Sequence, residues 1–316
     1  PLQFETLGAT APTLVSSSPA DDATGIPATT SNLTLTFSEN VFVSSGKLTL
    51  RSSEVGFTPV EIGAAAAEVS GSGSNSIKIT LGSALGSRTN FNLQINASAF
   101  VDAAGTAYAG ISSAEELNFK TVDTISPSIA ITSDVSSLKI AETATITFTF
   151  SETPSGFAAA DVTTSGGTLS TPTVDGSNNK IFTATFTPTA DSTEGASITV
   201  AANSYEDAAG NLGTAGTSPA IAVDTQAPSL TISSSDTDLI VGETATISFT
   251  FTEPPSGFSW DGAIGDITLS GGTLSALAST DDSNVFTALS TPAANSTTAP
   301  TLSVAGSDYE DAAGNA

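Results

Sequence analysis

Apolar and polar residues alternate with a period of two along much of this chain. In 143–150 (TATITFTF), Ala144, Ile146, Phe148 and Phe150 fall on one side and the threonines on the other. The stretch 244–251 (TATISFTF) repeats the pattern, and 32–37 (NLTLTF) gives a shorter version. Successive side chains of a strand point to opposite faces, so these stretches predict half-buried β-strands. Further strands are expected at 129–132, 181–186, 196–201 and 221–223, and again at 230–232, 285–289 and 300–304. Gly, Asp, Ser and Pro fill the gaps, as turn chemistry requires. No stretch is long enough to read as an amphipathic helix. Roughly seven short strands per hundred residues, each with one apolar face, predict a two-sheet antiparallel sandwich.

The pattern is written more than once. Asp-Ala-Ala-Gly stands at 102–105, 207–210 and 311–314, each time after a second phrase: Phe37-Ser38-Glu39, Phe150-Ser151-Glu152 and Phe251-Thr252-Glu253. Asp123 and Asp224 lie 101 residues apart, as do Glu142 and Glu243, and Glu152 and Glu253. Phrases recurring in fixed order mark tandem copies of one structural unit. The division expected is a lead-in at 1–10 and domains at 11–123, 124–224 and 225–316, each of ordinary domain size. The third copy stops just past its last turn, so it is expected to lack its final strand. With no initiator Met, basic n-region or apolar h-region at its start, the chain reads as a processed or excised piece of something longer.

Composition narrows the function. There are 32 acidic and 7 basic side chains, a net charge of −25, and no His, Cys or Met. Nucleic-acid binding depends on Lys and Arg neutralising phosphates, and anionic lipid surfaces draw on the same residues, so neither is an expected partner. No apolar run approaches the roughly 20 residues of a membrane span. Without His or Cys there is no Ser-His-Asp triad and no thiolate nucleophile. A Gly-rich phosphate cradle opening a helix is missing too. Enzyme activity is therefore not expected.

The disulfide and core Trp of antibody-type sandwiches are absent, and Trp260, beside a Pro-Pro-Ser-Gly turn, reads as a surface or loop residue. From 126 to 316 the chain resembles the bacterial Ig-like repeats of large secreted adhesins, including calcium-dependent RTX-type surface proteins. The resemblance is carried by Asp123-Thr124, Ser126-Pro127, the Glu-Thr-Ala-Thr-Ile strand, Ser151-Glu152, Ser165-Gly166-Gly167-Thr168-Leu169 and Tyr205-Glu206-Asp207-Ala208-Ala209-Gly210-Asn211. Counterparts stand at 270–274 and 309–315. The first copy instead resembles the Ig-like domain of S-layer and surface proteins, through Ser18-Pro19-Ala20-Asp21, Leu35-Thr36-Phe37-Ser38-Glu39 and 101–105. The fold class implied is all-β: three tandem Ig-like antiparallel β-sandwiches in an elongated rod.

An Ig-like strand order places the repeated phrases. The B–C loop carries Glu152, the F–G turn carries Glu206 and Asp207, and the entering linker carries Asp123. All three segments lie at one end of a sandwich, so these four carboxylates are expected to converge at the first seam. Asp224, Glu253, Glu310 and Asp311 are expected to converge at the next, with Glu39 and Asp102 on the cap of the first copy. Carboxylates gathered so closely stay ionised together only beside a cation or a compensating donor. Basic residues are scarce, so a hard divalent cation with oxygen ligands is the expected partner, and flexible loops suit Ca2+ better than Mg2+. Asp-Ala-Ala-Gly is equally a good tight turn, with Asp bonding its own backbone. Glu142, Asp191 and Glu194 lie in loops facing the following seam, either completing its shell or simply solvated.

The function expected is mechanical: a calcium-stiffened, non-catalytic extracellular spacer of a large bacterial surface protein. Strands of about eight residues span roughly 27 Å, so three domains end to end would reach on the order of 100 Å. Neighbouring domains or subunits of a surface assembly are the expected partners, with a cell-surface or glycan ligand held through other parts of the full protein. The rival readings are a lattice- or filament-forming subunit of an S-layer, cell surface or virion coat, and a glycan-binding module using Trp260.

Overall fold

The computed structural model describes residues 10–54 and 56–316, so the expected lead-in at 1–10 lies almost wholly outside the described residues. Three mainly antiparallel sandwiches follow one another, and among the described residues the only helical segments are the single 3-10 turns Ala159–Asp161 and Gly306–Asp308. No helix of the described residues is long and apolar enough to cross a membrane. Packing groups the chain into two compact units. One comprises the described residues of Pro1–Ser126 together with Asp207–Asn211, and the other Pro127–Glu206 with Leu212–Ala316.

In the first sandwich one sheet runs Leu14–Ser18, Asn32–Val43, Ser74–Thr80, Val69–Ser70, and the other Ala23–Ile26, Asn118–Thr121, Asn90–Ile95, Lys47–Ser52, Val60–Gly63. Alternation does the folding: Leu33, Leu35, Phe37, Ile77 and Ile79 of one sheet close against Leu48, Leu50, Phe91, Leu93 and Phe119 of the other. The strand expected at 32–37 runs on to Val43, through a break in register between Thr36 and Val41 that leaves Ser38–Asn40 outside the ladder.

The second repeat pairs Ile129–Ser133, Ala144–Phe150, Asn178–Pro188 and Gly167–Leu169 in one sheet, and Val162–Ser165, Ser197–Val200 and Gly216–Thr217 in the other. Ser137–Leu138 adds a parallel pair with Ala222–Val223. Its core is Ile146, Phe148, Phe150, Phe186, Ile198 and Val200, edged by Tyr205. The Tyr205 hydroxyl donates to the Thr214 and Pro127 carbonyls at 2.9 and 3.3 Å, tying the F–G connection to the start of the repeat. A Cβ on Gly213 would fall inside the Tyr205 ring. Gly213→Ala is thus expected to cost about 1–3 kcal/mol as an overpacked site. Gly176→Ala, at a position with nothing near a new Cβ, should be close to neutral. Urea melts of the two variants check the contrast.

The third repeat repeats the plan with Leu230–Ser234, Ala245–Phe251, Val285–Pro292 and Gly272–Leu274, and with Ile267–Ser270 paired to Thr301–Val304. Among the described residues its second sheet holds two strands where the second repeat's holds three. Leu302 and Val304 are accordingly only half-covered, whereas their counterparts Ile198 and Val200 are buried.

Candidate metal centre

The joint between the second and third repeats is built from the chain outward. Phe251 ends the central strand buried, and its ring meets Tyr309 edge-on at 4.9 Å. The next residue is locked too: Ser229 N–H donates to Thr252 Oγ1 at 2.9 Å, and Thr252 N–H to the Ser229 carbonyl at 3.0 Å. Glu253 is thereby held beside the entering linker, which carries Asp224. On the facing loop Tyr309 points inward, so by alternation Glu310 points out and Asp311 points in again. Ser256 and Glu310 bridge through their backbones, keeping that segment extended. Asp224, Glu253 and Asp311 each bring a carboxylate oxygen within 4.8 Å of the others.

Asp311 is almost wholly buried, at 2 % exposure. Its Oδ1 accepts the Asn315 N–H at 2.9 Å and its Oδ2 the Asn315 Nδ2 at 2.7 Å. Burial alone would raise its carboxyl, but the bonds from Asn315, Gly314 and Ala313 outweigh that and hold it below the ordinary carboxylate range. Glu253 moves the other way, raised by burial and then by the charges of Asp311 and Asp224. Glu253 thus feels the negative charge of both its neighbours. Among the described residues no Lys or Arg forms an ion pair with any of the three.

Asn315, part of the repeated 309–315 phrase but not among the expected ligands, ties the joint together. Besides bonding Asp311, its Nδ2 donates to the Asp224 carbonyl at 3.0 Å, and its Oδ1 accepts the Ile140 N–H of the preceding repeat at 2.8 Å. Lys139 Nζ adds a bond to the Gly314 carbonyl at 3.2 Å. The available signal is the Asn that follows Asp-Ala-Ala-Gly in two of the three turns. Asn211 matches it: its Nδ2 donates to Asp207 Oδ2 at 2.8 Å and to the Asp123 carbonyl at 3.2 Å.

The other expected ligands fall as follows. Asp123 and Asp207 belong to one unit and Glu152, buried, to the other. Asp207 is held below the ordinary range although burial raises it, because Asn211, Ala209 and Gly210 donate to it. Glu310 does not join Asp224, Glu253 and Asp311: it is exposed, on the outward phase of an extended segment, and Glu206 is exposed in the same phase of its own segment. Glu39 lies inside the strand Asn32–Val43 rather than in a loop beyond it, so the first repeat has no counterpart of Glu253. Asp102 is buried and its Oδ1 accepts the Ala104 and Thr106 N–H groups at 2.8 and 2.7 Å, and no group of three carboxylates includes it among the described residues. The three turns themselves match, with φ of 85°, 85° and 84° at Gly105, Gly210 and Gly314, which glycine adopts without strain. Trp260 lies in a loop outside the named strands and is only partly buried, with its ring packed against the third core and its Nε1 buried.

The donor set suits a hard divalent cation: three carboxylates, in a chain that has no thiol or imidazole to offer.

Residues 123–223 match a family described as a bacterial Ig-like domain, and residues 224–316 match it a second time. Another family of the same description matches residues 8–121. Among solved structures, the crystal structure of Dscam1 isoform 4.44, N-terminal four Ig domains, is similar at 10% identity with a TM-score of 0.31, over 70% of this chain and 47% of that one. This chain spans about half the length of that structure. No curated protein sequence matches it.

Proposed function

The chain belongs to the bacterial Ig-like domains over nearly its whole length, and from that premise we propose that it is a spacer of a large bacterial surface protein, stiffened by Ca2+ at the joint between repeats two and three. Domains of this family are structural and adhesive modules of the cell exterior, generally without catalytic activity. The finer reading, a stalk of the RTX-type or S-layer-associated kind, rests on one observation: the carboxylates of Asp224, Glu253 and Asp311 within 4.8 Å of one another where two repeats adjoin. Extracellular modules bind Ca2+ with Kd of about 10⁻⁴–10⁻³ M, which is the range expected of a loop site with three carboxylates.

The three carboxylates would hold the ion. When bound it would favour the ionised Glu253 against the burial and the neighbouring charges that raise it, and join a linker, a B–C loop and an F–G turn. Asn315 orients Asp311 and fastens the same turn to Ile140, so metal and amide act on one joint. By sequence Asp123, Glu152 and Asp207 are the equivalent residues one repeat earlier.

Small-angle scattering tests the proposal. Chelation of the calcium-loaded chain is expected to broaden its distance distribution, and readdition of Ca2+ to restore it. Identical curves in both states would remove calcium from the account of stiffness.

A further inference from the structure

Positive charge is concentrated in the first repeat: Lys47, Arg51, Lys78, Arg88 and Lys120 are five of the chain's seven basic residues. Two of them share the outer face of one sheet. Leu48 and Leu50 point into the core, leaving Lys47, Thr49 and Arg51 outside. On the neighbouring strand Phe91, Leu93 and Ile95 are buried, so Asn92, Gln94 and Asn96 share that outer face. Pairing sets Arg51 opposite Asn92 and Thr49 opposite Gln94 and, on the other side, Glu61. An open cavity of about 370 Å³ lies over Lys47, Thr49, Arg51, Gln94 and Asn96, with Glu61 at its edge.

The polar groups there are held in a fixed order. Gln94 Nε2 donates to the Ser112 carbonyl at 3.3 Å, and Gln94 Oε1 accepts Arg51 Nε at 2.8 Å. The guanidinium is thus oriented by an amide, not neutralised by a carboxylate. Among the described residues its two Nη groups make no hydrogen bond. The nearest acid on this face, Glu61, feels the Arg51 charge but is held by Lys47, so among the described residues Arg51 forms no ion pair of its own. Lys47, by contrast, is already paired with Glu61 at 2.7 Å, and Asn96 Oδ1 accepts the Lys47 N–H at 2.8 Å. Along this face, then, a hydroxyl stands at Thr49 between Arg51 and the Asn96 amide, which lies at the Lys47 end.

We propose that this face of the first repeat binds a carboxylated sugar residue of an acidic polysaccharide, with Arg51 as the carboxylate clamp. A guanidinium with both Nη groups open takes a carboxylate through two parallel hydrogen bonds. Amide and hydroxyl groups alternate donors and acceptors as ring hydroxyls require. The cavity falls in the range of small-ligand sites, about 300–1,000 Å³. A protein partner would need a buried aromatic or apolar anchor at the centre of the patch, which this face lacks. The proposal is independent of the spacer reading and of calcium.

Titration of the chain with a galacturonic-acid trisaccharide, followed by NMR, tests it against the neutral galactose trisaccharide. The acidic sugar is expected to shift the Gln94 side-chain amide and its strand neighbours, and the neutral one to bind at least tenfold more weakly. Arg51→Gln should weaken binding of the acidic sugar at least tenfold while leaving the melting temperature unchanged. No shifts at saturating acidic sugar, equal binding of both sugars, or undiminished binding by Arg51→Gln would overturn the proposal. So would concentration-dependent self-association abolished by Arg51→Gln without sugar binding, which would assign the face to a second copy of the chain.

Discussion

Phe148→Ala is expected to unfold the second repeat under conditions where the rest of the chain stays folded. Phe148 sits in the central strand Ala144–Phe150, has no exposed surface, and faces the Phe157 ring at 5.5 Å. Truncating such a ring removes its transfer free energy and leaves a cavity, together about 3–5 kcal/mol. A single domain is stable by only about 5–15 kcal/mol in total, so one substitution takes a large share. Thr149, next along the strand, is exposed, and Thr149→Ala should change stability by less than about 0.5 kcal/mol. The two neighbours therefore bracket what alternation means energetically. Trp260, the one tryptophan, lies in the third repeat, so its fluorescence follows that repeat while hydrogen exchange at Phe148's neighbours follows the second. A cost below about 1 kcal/mol for Phe148→Ala would show that this core is looser than its burial implies.

The same period-two logic accounts for what was readable in the sequence. TATITFTF and TATISFTF predict strands whose observed bounds, Ala144–Phe150 and Ala245–Phe251, differ by one residue at the start. Tandem Ig-like sandwiches follow from the recurring phrases and strand count. What escaped was local. Strand Asn32–Val43 runs on past Phe37 because a register break lets the chain continue without pairing, which a hydrophobic pattern does not record. Glu206 and Glu310 were expected among the ligands because the F–G turn carries them with Asp207 and Asp311, yet neighbours in an extended segment point to opposite sides. Counting in twos from the inward Tyr205 or Tyr309 selects the aspartates and rejects the glutamates. Asn315 escaped for another reason: an amide offers no charge to notice, and its value comes from reaching Asp311, Asp224 and Ile140 at once. Trp260 does lie in a loop, as its Pro-Pro-Ser-Gly neighbourhood suggests, but that neighbourhood describes the backbone and not where the indole finds partial cover.

Calcium is expected to raise the melting temperature of the joined second and third repeats by roughly 3–10 °C at about 10 mM. An ion that binds only the folded state at ten to a hundred times its Kd stabilises by about 1.4–2.7 kcal/mol, and each kcal/mol moves a unit of this size by about 2–4 °C. Acidity should modulate the effect in a defined sense. Without metal, Glu253 carries a raised carboxyl, so its penalty is absent below the ordinary carboxylate range and grows as pH rises through the raised value. Asp311, held low by Asn315, contributes stability at neutral pH that is lost only as pH falls through its depressed value. The metal-free protein should therefore be more stable at mildly acid pH than at pH 7, with calcium reversing that order because it binds the ionised site. Glu253→Gln removes the charge that gives rise to both effects while keeping the side chain's length. It should raise the metal-free melting temperature at pH 7 and shrink the calcium shift to a small fraction of the parent's. A variant that kept the full shift would take Glu253 out of the ion's shell. If magnesium served equally well, the demand would be for charge neutralisation at the joint and not for the large, flexible coordination that favours calcium.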